Sequence, residues 1–392
     1  MWNHRIDAVL KKLGFRALYN DACVYVYRRG DLIVISSLYV DDLLLASNSR
    51  AQLDGFKKEL ASHFDMEDLG EARFVLGIEI RRDRKARTLH ISQGAYIRDI
   101  LARFGMDQCS SMATPMEKGL RLLKATDKDP LALDAKATRD YQARVGALIY
   151  AMQATRPDIA YAVTALSQFC SAPTTQHQQA VKRVFRYLRG TIDHGITYRG
   201  SGSPTSAPTL LGYSDSDWAE DINDRKSITG YTFLLGNASI SWKSKKQPTQ
   251  ALSSVEAEYM AACEATKEAL WWRSFLRGLG YKLTGPTRVL SDSQGGIALS
   301  KNPGHHHDRT KHIDVRHHFI RDRVADGTIV LEHVGTQDMA ADVLTKALVR
   351  DKHTHATTLL GVAGAPSLST NSNSTSRQER TSRAGVLEKS DQ

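Results

Sequence analysis

The chain has 392 residues, 41% of them hydrophobic, which is enough for two or three cored domains and excludes a peptide or a fibre. Its 53 Lys and Arg against 43 Asp and Glu give a formal charge of +10, suited to a polyanionic partner such as nucleic acid. Cys23, Cys109, Cys170 and Cys263 are scattered without a CxxC pair, so neither a disulfide framework nor a cysteine zinc site is indicated and a reducing compartment fits. No run approaches the roughly 20 apolar residues of a membrane span. A soluble intracellular protein is expected.

MWNHRIDAVLKKLGF reads as an amphipathic helix with Ile6, Val9, Leu10 and Leu13 on one side. VYVYRRGDLIVISSLYVDDLLLAS then reads as a hairpin around Gly30-Asp31, with Asp41 and Asp42 near a second bend. A helix is predicted over 49–63, a second hairpin over RFVLGIEIRRDRKARTLHISQ, and a helix over 94–104; residues 113–137 read as a linker.

A helical segment follows over 138–190, with Pro157 and Pro173 at helix starts or breaks. In QQAVKRVFRYLRG, Val181, Val184, Phe185 and Leu188 share one face, while Lys182, Arg186 and Arg189 fall on the other. That basic face is a candidate track for a phosphate backbone, with a plain solvated face as the alternative.

From Thr209 the pattern becomes three strands, LLGYSDSDW, SITGYTFLLG and ASISWKSKK, then a long helix opening on a capping box of Ser253 and Glu256. The strand TRVLSD, a short helix, a His-rich basic stretch, a helix over 315–324, the strand IVLEHV and a last helix over 337–349 complete a βββαβαβα order. The Ser, Thr and Asn rich end reads as disordered. The predicted division is 1–112, 113–208, 209–350 and a tail over 351–392.

Phosphodiester chemistry with two Mg²⁺ ions needs three or four hard carboxylates converging on one point. Asp215 on the first strand, Glu258 on the long helix, Asp292 at the end of the fourth strand and Asp342 on the final helix meet that need. Asp217 is the main rival of Asp215. Glu256 is better used as a cap, and Asp338 as a helix-start acid complementing the dipole.

From Thr209 to Val349 the chain resembles the ribonuclease H domain of copia-type LTR retrotransposon polyproteins, in YSDSDWA, SSVEAEYMA, SDSQ, RTKHIDVRHHFIRD and ADVLTK. The resemblance carries that family's metal-binding acids onto Asp215, Glu258, Asp292 and Asp342, and implies Mg²⁺, or Mn²⁺, as cofactor. It implies the RNA strand of an RNA·DNA hybrid as substrate, selected through the 2′-hydroxyl and minor-groove shape. Ser216, Glu220 and an extended HHHD before Arg309 depart from the family pattern, and His333 is a candidate aid to product release. The run His305, His306, His307, His312, His317 and His318 invites a zinc reading. Its five Arg and Lys neighbours from Arg309 to Arg323, and the lack of a nearby Cys, favour a phosphate-contacting loop with Arg309 and Lys311.

LYVDDLLLAS and RFVLGIEI resemble the reverse transcriptase palm of the same family, and VGALIYAMQATRPDIAYAV and AVKRVFRYLRGT continue the match. Asp41 and Asp42 then become two metal ligands of a polymerase site contacting RNA template and DNA. The third Asp and the fingers are expected to precede Met1, so polymerisation by this chain alone is not expected. The overall expectation is an α/β (α+β) chain: a truncated palm, a thumb/connection and a ribonuclease H-like mixed-sheet domain. It would act in the cytoplasm within virus-like particles, or in the nucleus, with the remainder of the polyprotein or a partner subunit. The alternative is a catalytically inactive relic that binds nucleic acid.

Overall fold

A computed structural model describes residues 2–126, 129–200, 209–301 and 311–366. Three sheets organise it, each built where apolar runs alternate or stay continuous.

The first is an antiparallel meander of Arg16–Ala17, Val24–Arg29, Leu32–Tyr39 and Asp42–Ser47. Helices Trp2–Lys12 and Arg50–His63 close a core of Ile6, Leu10, Phe15, Tyr25, Val34, Leu38, Phe56, Leu60 and Phe64. Ser49 caps the second helix by accepting from the Gln52 amide, which leaves one fewer helix-end donor unpaired.

The second sheet crosses the predicted boundary at 112. Its order is Val362–Gly364, His194–Arg199, Thr88–Ser92, Ile78–Asp83 and Phe74–Val75, all antiparallel. The helix Gly94–Arg103 packs with Ala135–Ala154, Ala160–Ser167 and Thr175–Gly190 around Leu101, Tyr141, Leu148, Val163, Val184 and Phe185. Residues 74–104 therefore belong by packing with the helical segment and not with the first meander. That segment is broken where prolines were noted: Pro157 opens a short 3-10 turn, Pro157–Ile159, and Pro173 precedes the helix starting at Thr175. The tail prediction is corrected as well. Arg350–Leu359 is a helix and Val362–Gly364 a strand; residues 367–392 lie outside the described residues.

The third sheet runs Ala238–Lys246, Ile228–Leu235, Leu211–Ser216, Thr287–Ser291, Ile329–His333. The first three strands are antiparallel and the last two run parallel to Leu211–Ser216, giving a ribonuclease H-like mixed sheet. The helix Ser254–Gly278, capped by Ser253, lies against Leu211–Ser216 and Ile228–Leu235. Glu256 accepts from the Leu252 amide, one residue before the expected partner. The predicted final helix over 337–349 is instead the short 3-10 turn Ala340–Leu344. Among the described residues no helix is long and apolar enough to cross a membrane.

Candidate active site

Strand register explains why two distant acids meet. Leu290 pairs with Tyr213 across parallel strands, so two residues further on Asp292 stands level with Asp215. Side chains alternate across a sheet, and an even offset keeps both on the same face. The second turn of the long helix supplies Glu258, whose Oε1 accepts from the Ser216 amide at 3.2 Å. Asp215, Glu258 and Asp292 each offer a carboxylate oxygen, and these oxygens lie within 4.8 Å of one another.

Three carboxylates that close repel. Burial first, then the Asp342 and Asp292 charges against the pull of Lys346, raises the Asp215 carboxyl to about 7. Burial, Asp215 and Asp292 raise Glu258 to about 9. Glu258 Oε2 is buried without a hydrogen-bond partner among the described residues. A buried carboxylate oxygen without a hydrogen-bond partner, in a crowd of like charge, suits a cation, and hard oxygens are the donors that Mg²⁺ and Mn²⁺ take. These residues fit a divalent ion.

Asp342 is buried beside this group but is turned to another partner. Lys346 Nζ lies 2.9 Å from Asp342 Oδ1 and 3.4 Å from Asp215 Oδ2. The Thr345 hydroxyl also donates to Asp215 Oδ2. Thr345 and Lys346 were not singled out in the sequence. The spacing of four between Asp342 and Lys346 was the available signal, hidden because a lysine near a segment end is ordinarily solvated.

The rival acids have other tasks. Asp217 accepts from the Ile228 amide where the next strand begins, and burial raises its carboxyl to about 7. Asp338 is exposed and pairs with His355 at 3.1 Å. Asp292 Oδ2 accepts from the Thr336 hydroxyl at 3.1 Å, and His333 is exposed at the strand end opposite Ser291.

The basic helix face is corrected in part. Arg186 donates to the Ser110 carbonyl at 2.8 Å and its hydroxyl at 2.7 Å, and Arg189 to the Asp107 carbonyl at 2.7 Å. Both arginines tie down the 106–112 segment, while Lys182 is exposed. Arg309 and the His305–His307 run lie outside the described residues, and Lys311 is described only as the start of the helix Lys311–Ala325.

Asp41 and Asp42 are exposed at the tight turn between Leu32–Tyr39 and Asp42–Ser47, where Tyr39 pairs with Asp42 and Val40 takes a φ of 53°. Among the described residues they join no third acid in a metal-sized cluster.

Sheet order and carboxylate placement thus define an α/β domain with a five-stranded mixed sheet carrying acids at its strand ends, joined to an antiparallel meander, as the resemblance to a ribonuclease H domain and a reverse transcriptase implies. Comparison with known proteins places it more closely. The reverse transcriptase (RNA-dependent DNA polymerase) family profile matches residues 1–118. The Retrovirus-related Pol polyprotein from transposon TNT 1-94 of Nicotiana tabacum is 41% identical over 365 residues, covering 92% of this chain and 27% of that polyprotein. A putative transposon Ty5-1 protein of Saccharomyces cerevisiae is 32% identical over 269 residues, 68% of this chain and 84% of that protein. The crystal structure of LC11-RNase H1 in complex with RNA/DNA hybrid is 16% identical, covers 35% of this chain and 94% of that one, and has a TM-score of 0.27.

The chain belongs to the copia-type retrotransposon Pol family. It spans about a quarter of the length of the curated plant polyproteins it matches, 27% and 24% of two of them.

Proposed function

We propose that this chain cleaves the RNA strand of RNA·DNA hybrids at the Asp215, Glu258 and Asp292 cluster, with Asp342 beside it. The observation that carries the reading is the convergence of Asp215, Glu258 and Asp292, each offering a carboxylate oxygen within 4.8 Å of the others. Asp215, Glu258 and Asp292 would hold Mg²⁺ or Mn²⁺. A divalent ion there supplies Lewis acidity and an activated water for phosphodiester hydrolysis.

The protein's own contribution is positional. Parallel register fixes Asp292 level with Asp215, the Ser216 amide orients Glu258, and the Thr345 hydroxyl and Lys346 ammonium orient Asp215. Burial of the cluster strengthens its field on any cation that enters. Recognition of the RNA strand would rest on the 2′-hydroxyl, and Lys182, Arg309 and Lys311 are proposed to meet backbone phosphates. Polymerisation is not proposed for this chain alone, because Asp41 and Asp42 lack a third acid among the described residues.

The test is a labelled hybrid incubated with the full chain with and without Mg²⁺, beside Asp292→Asn. Metal-dependent cleavage by the parent and none by the variant, with hybrid binding retained in both, is expected. Equal cleavage by Asp292→Asn sinks the proposal. No metal-dependent product from the parent favours the inactive, nucleic acid-binding relic.

A further inference from the structure

We infer that Lys346 is a resident counter-ion of the acid cluster, which occupies the Asp215–Asp342 side and limits how many divalent ions the protein takes up. The inference rests on the proposed metal-binding reading of the cluster and adds to it a residue that sets loading.

Lys346 reaches two acids that are otherwise among the most buried in the domain. Asp215 and Asp342 are 1% and 4% exposed, and the ammonium stands 3.4 and 2.9 Å from their oxygens. Its approach is fixed locally. The Asp342 carbonyl accepts from both the Thr345 and Lys346 amides at 3.2 Å, so the turn that presents Asp342 also aims the lysine. A lysine is charged at neutral pH, and two carboxylates at 3.4 and 2.9 Å favour the charged form.

The four acids are therefore divided. Asp215, Glu258 and Asp292 form the open group, whereas Asp342 is tied to Lys346 and Asp215 is shared between the two sides. With all four carboxylates ionised, the lysine and one divalent ion leave a single negative charge. A second divalent ion makes the site net positive unless the ammonium withdraws. Two like charges within a few ångströms in a buried site repel strongly, so Lys346 opposes the second ion and leaves the first largely unaffected.

The test is a Mn²⁺ titration of the full chain without nucleic acid, followed by electron paramagnetic resonance of free Mn²⁺, on the parent, Lys346→Met and Lys346→Arg. The parent and Lys346→Arg are expected to take up one ion tightly. Lys346→Met is expected to gain a second, at least tenfold tighter than any second ion of the parent. Parent and Lys346→Met curves that superimpose with ions bound overturn the lysine inference and leave the metal reading standing; no uptake by any of the three overturns both. Should Lys346→Met fail to fold, ¹⁵N resonances of the lysine ammonium in the parent decide. Addition of Zn²⁺ or Mg²⁺ at concentrations that fill a second position must shift the Lys346 signal, and an unmoved signal overturns the inference.

Discussion

Thr345 places its hydroxyl on the carboxylate of Asp215, a residue 130 positions earlier in the chain. The contact depends on Gly230, which faces Asp215 across the strand pair. A Cβ on Gly230 would stand 2.5 Å from Thr345 Cγ2 and 3.0 Å from Leu344 Cβ. Gly230→Ala should therefore push the 3-10 turn off the sheet, costing about 1–3 kcal/mol in stability. Chemical denaturation and hybrid cleavage measured together should both fall; an unchanged cleavage rate would show that the turn's seat is immaterial to the site.

Thr345→Ala tests the hydroxyl itself. Loss of a buried hydrogen bond to a charged acceptor costs about 1.5–3 kcal/mol, and Thr345→Ser should recover most of it. Equal stability of the alanine and serine variants would refute the role of the hydroxyl.

Arg156 and Asp158 form a fully buried pair with N–O contacts of 2.7 and 3.0 Å, and Asp158 also accepts from Tyr187 at 2.6 Å. His353 approaches the Asp158 carbonyl at 3.3 Å, so the pair links the helical segment to the helix Arg350–Leu359. Removing one partner strands a buried charge, at a cost of about 3–5 kcal/mol. Asp158→Asn should lower the unfolding midpoint far more than Asp140→Asn, whose Arg144 partner is a neighbour on the same helix. Equal midpoints would contradict this.

His90, His177, His194 and His353 all have pKa values lowered, by burial first. For His353 the Asp158 charge opposes that shift and Arg156 adds to it. A folded-state value below the unfolded one means that the unfolded chain binds more protons as pH falls. Stability from these groups is therefore complete above about 6.5 and declines below it. Between pH 7.5 and 5 the raised carboxyls of Asp215, Asp217 and Glu258 act in the opposite direction, so the histidine contribution is read as a difference: the parent's melting point should fall relative to that of His177→Gln as the pH is lowered. A difference between the two that stays constant with pH would exclude His177, which stacks on Phe169 at 3.9 Å.

Substitution of the basic helix should separate its members. Arg186→Ala and Arg189→Ala should destabilise the 106–112 segment, read as faster amide exchange there. Lys182→Ala should leave exchange unchanged and reduce the salt dependence of hybrid binding by about one phosphate contact. A salt slope altered by the arginines and not by Lys182 would reverse the assignment.

Much of the acid-bearing sheet was legible because its strands announce themselves. Leu211–Ser216, Ile228–Leu235 and Ala238–Lys246 are apolar or alternating runs between turn residues, and Ser253 sits where a cap must precede a helix. Arg350–Leu359 was missed because RDKHTHATTL has almost no apolar stripe; its helix is held by His353, Ala356 and Thr357 buried against other elements. Val362–Gly364 is three residues among glycines, and only its pairing with His194–Arg199 makes it a strand. Likewise, periodicity put Arg186 and Arg189 on a polar face correctly. What covers that face comes from residues 107–110, more than seventy positions away, which no local pattern contains.

His194–Arg199 and Val362–Gly364 lie side by side as hydrogen-bonded neighbours, and the whole ribonuclease H-like sheet is strung between them. The acid-bearing sheet is thus a loop pinched shut at its base. Its entrance and exit are fastened to each other, and the entrance strand is also stitched to Thr88–Ser92. A protease that nicks the chain once, on either side, leaves this sheet attached through the other fastening.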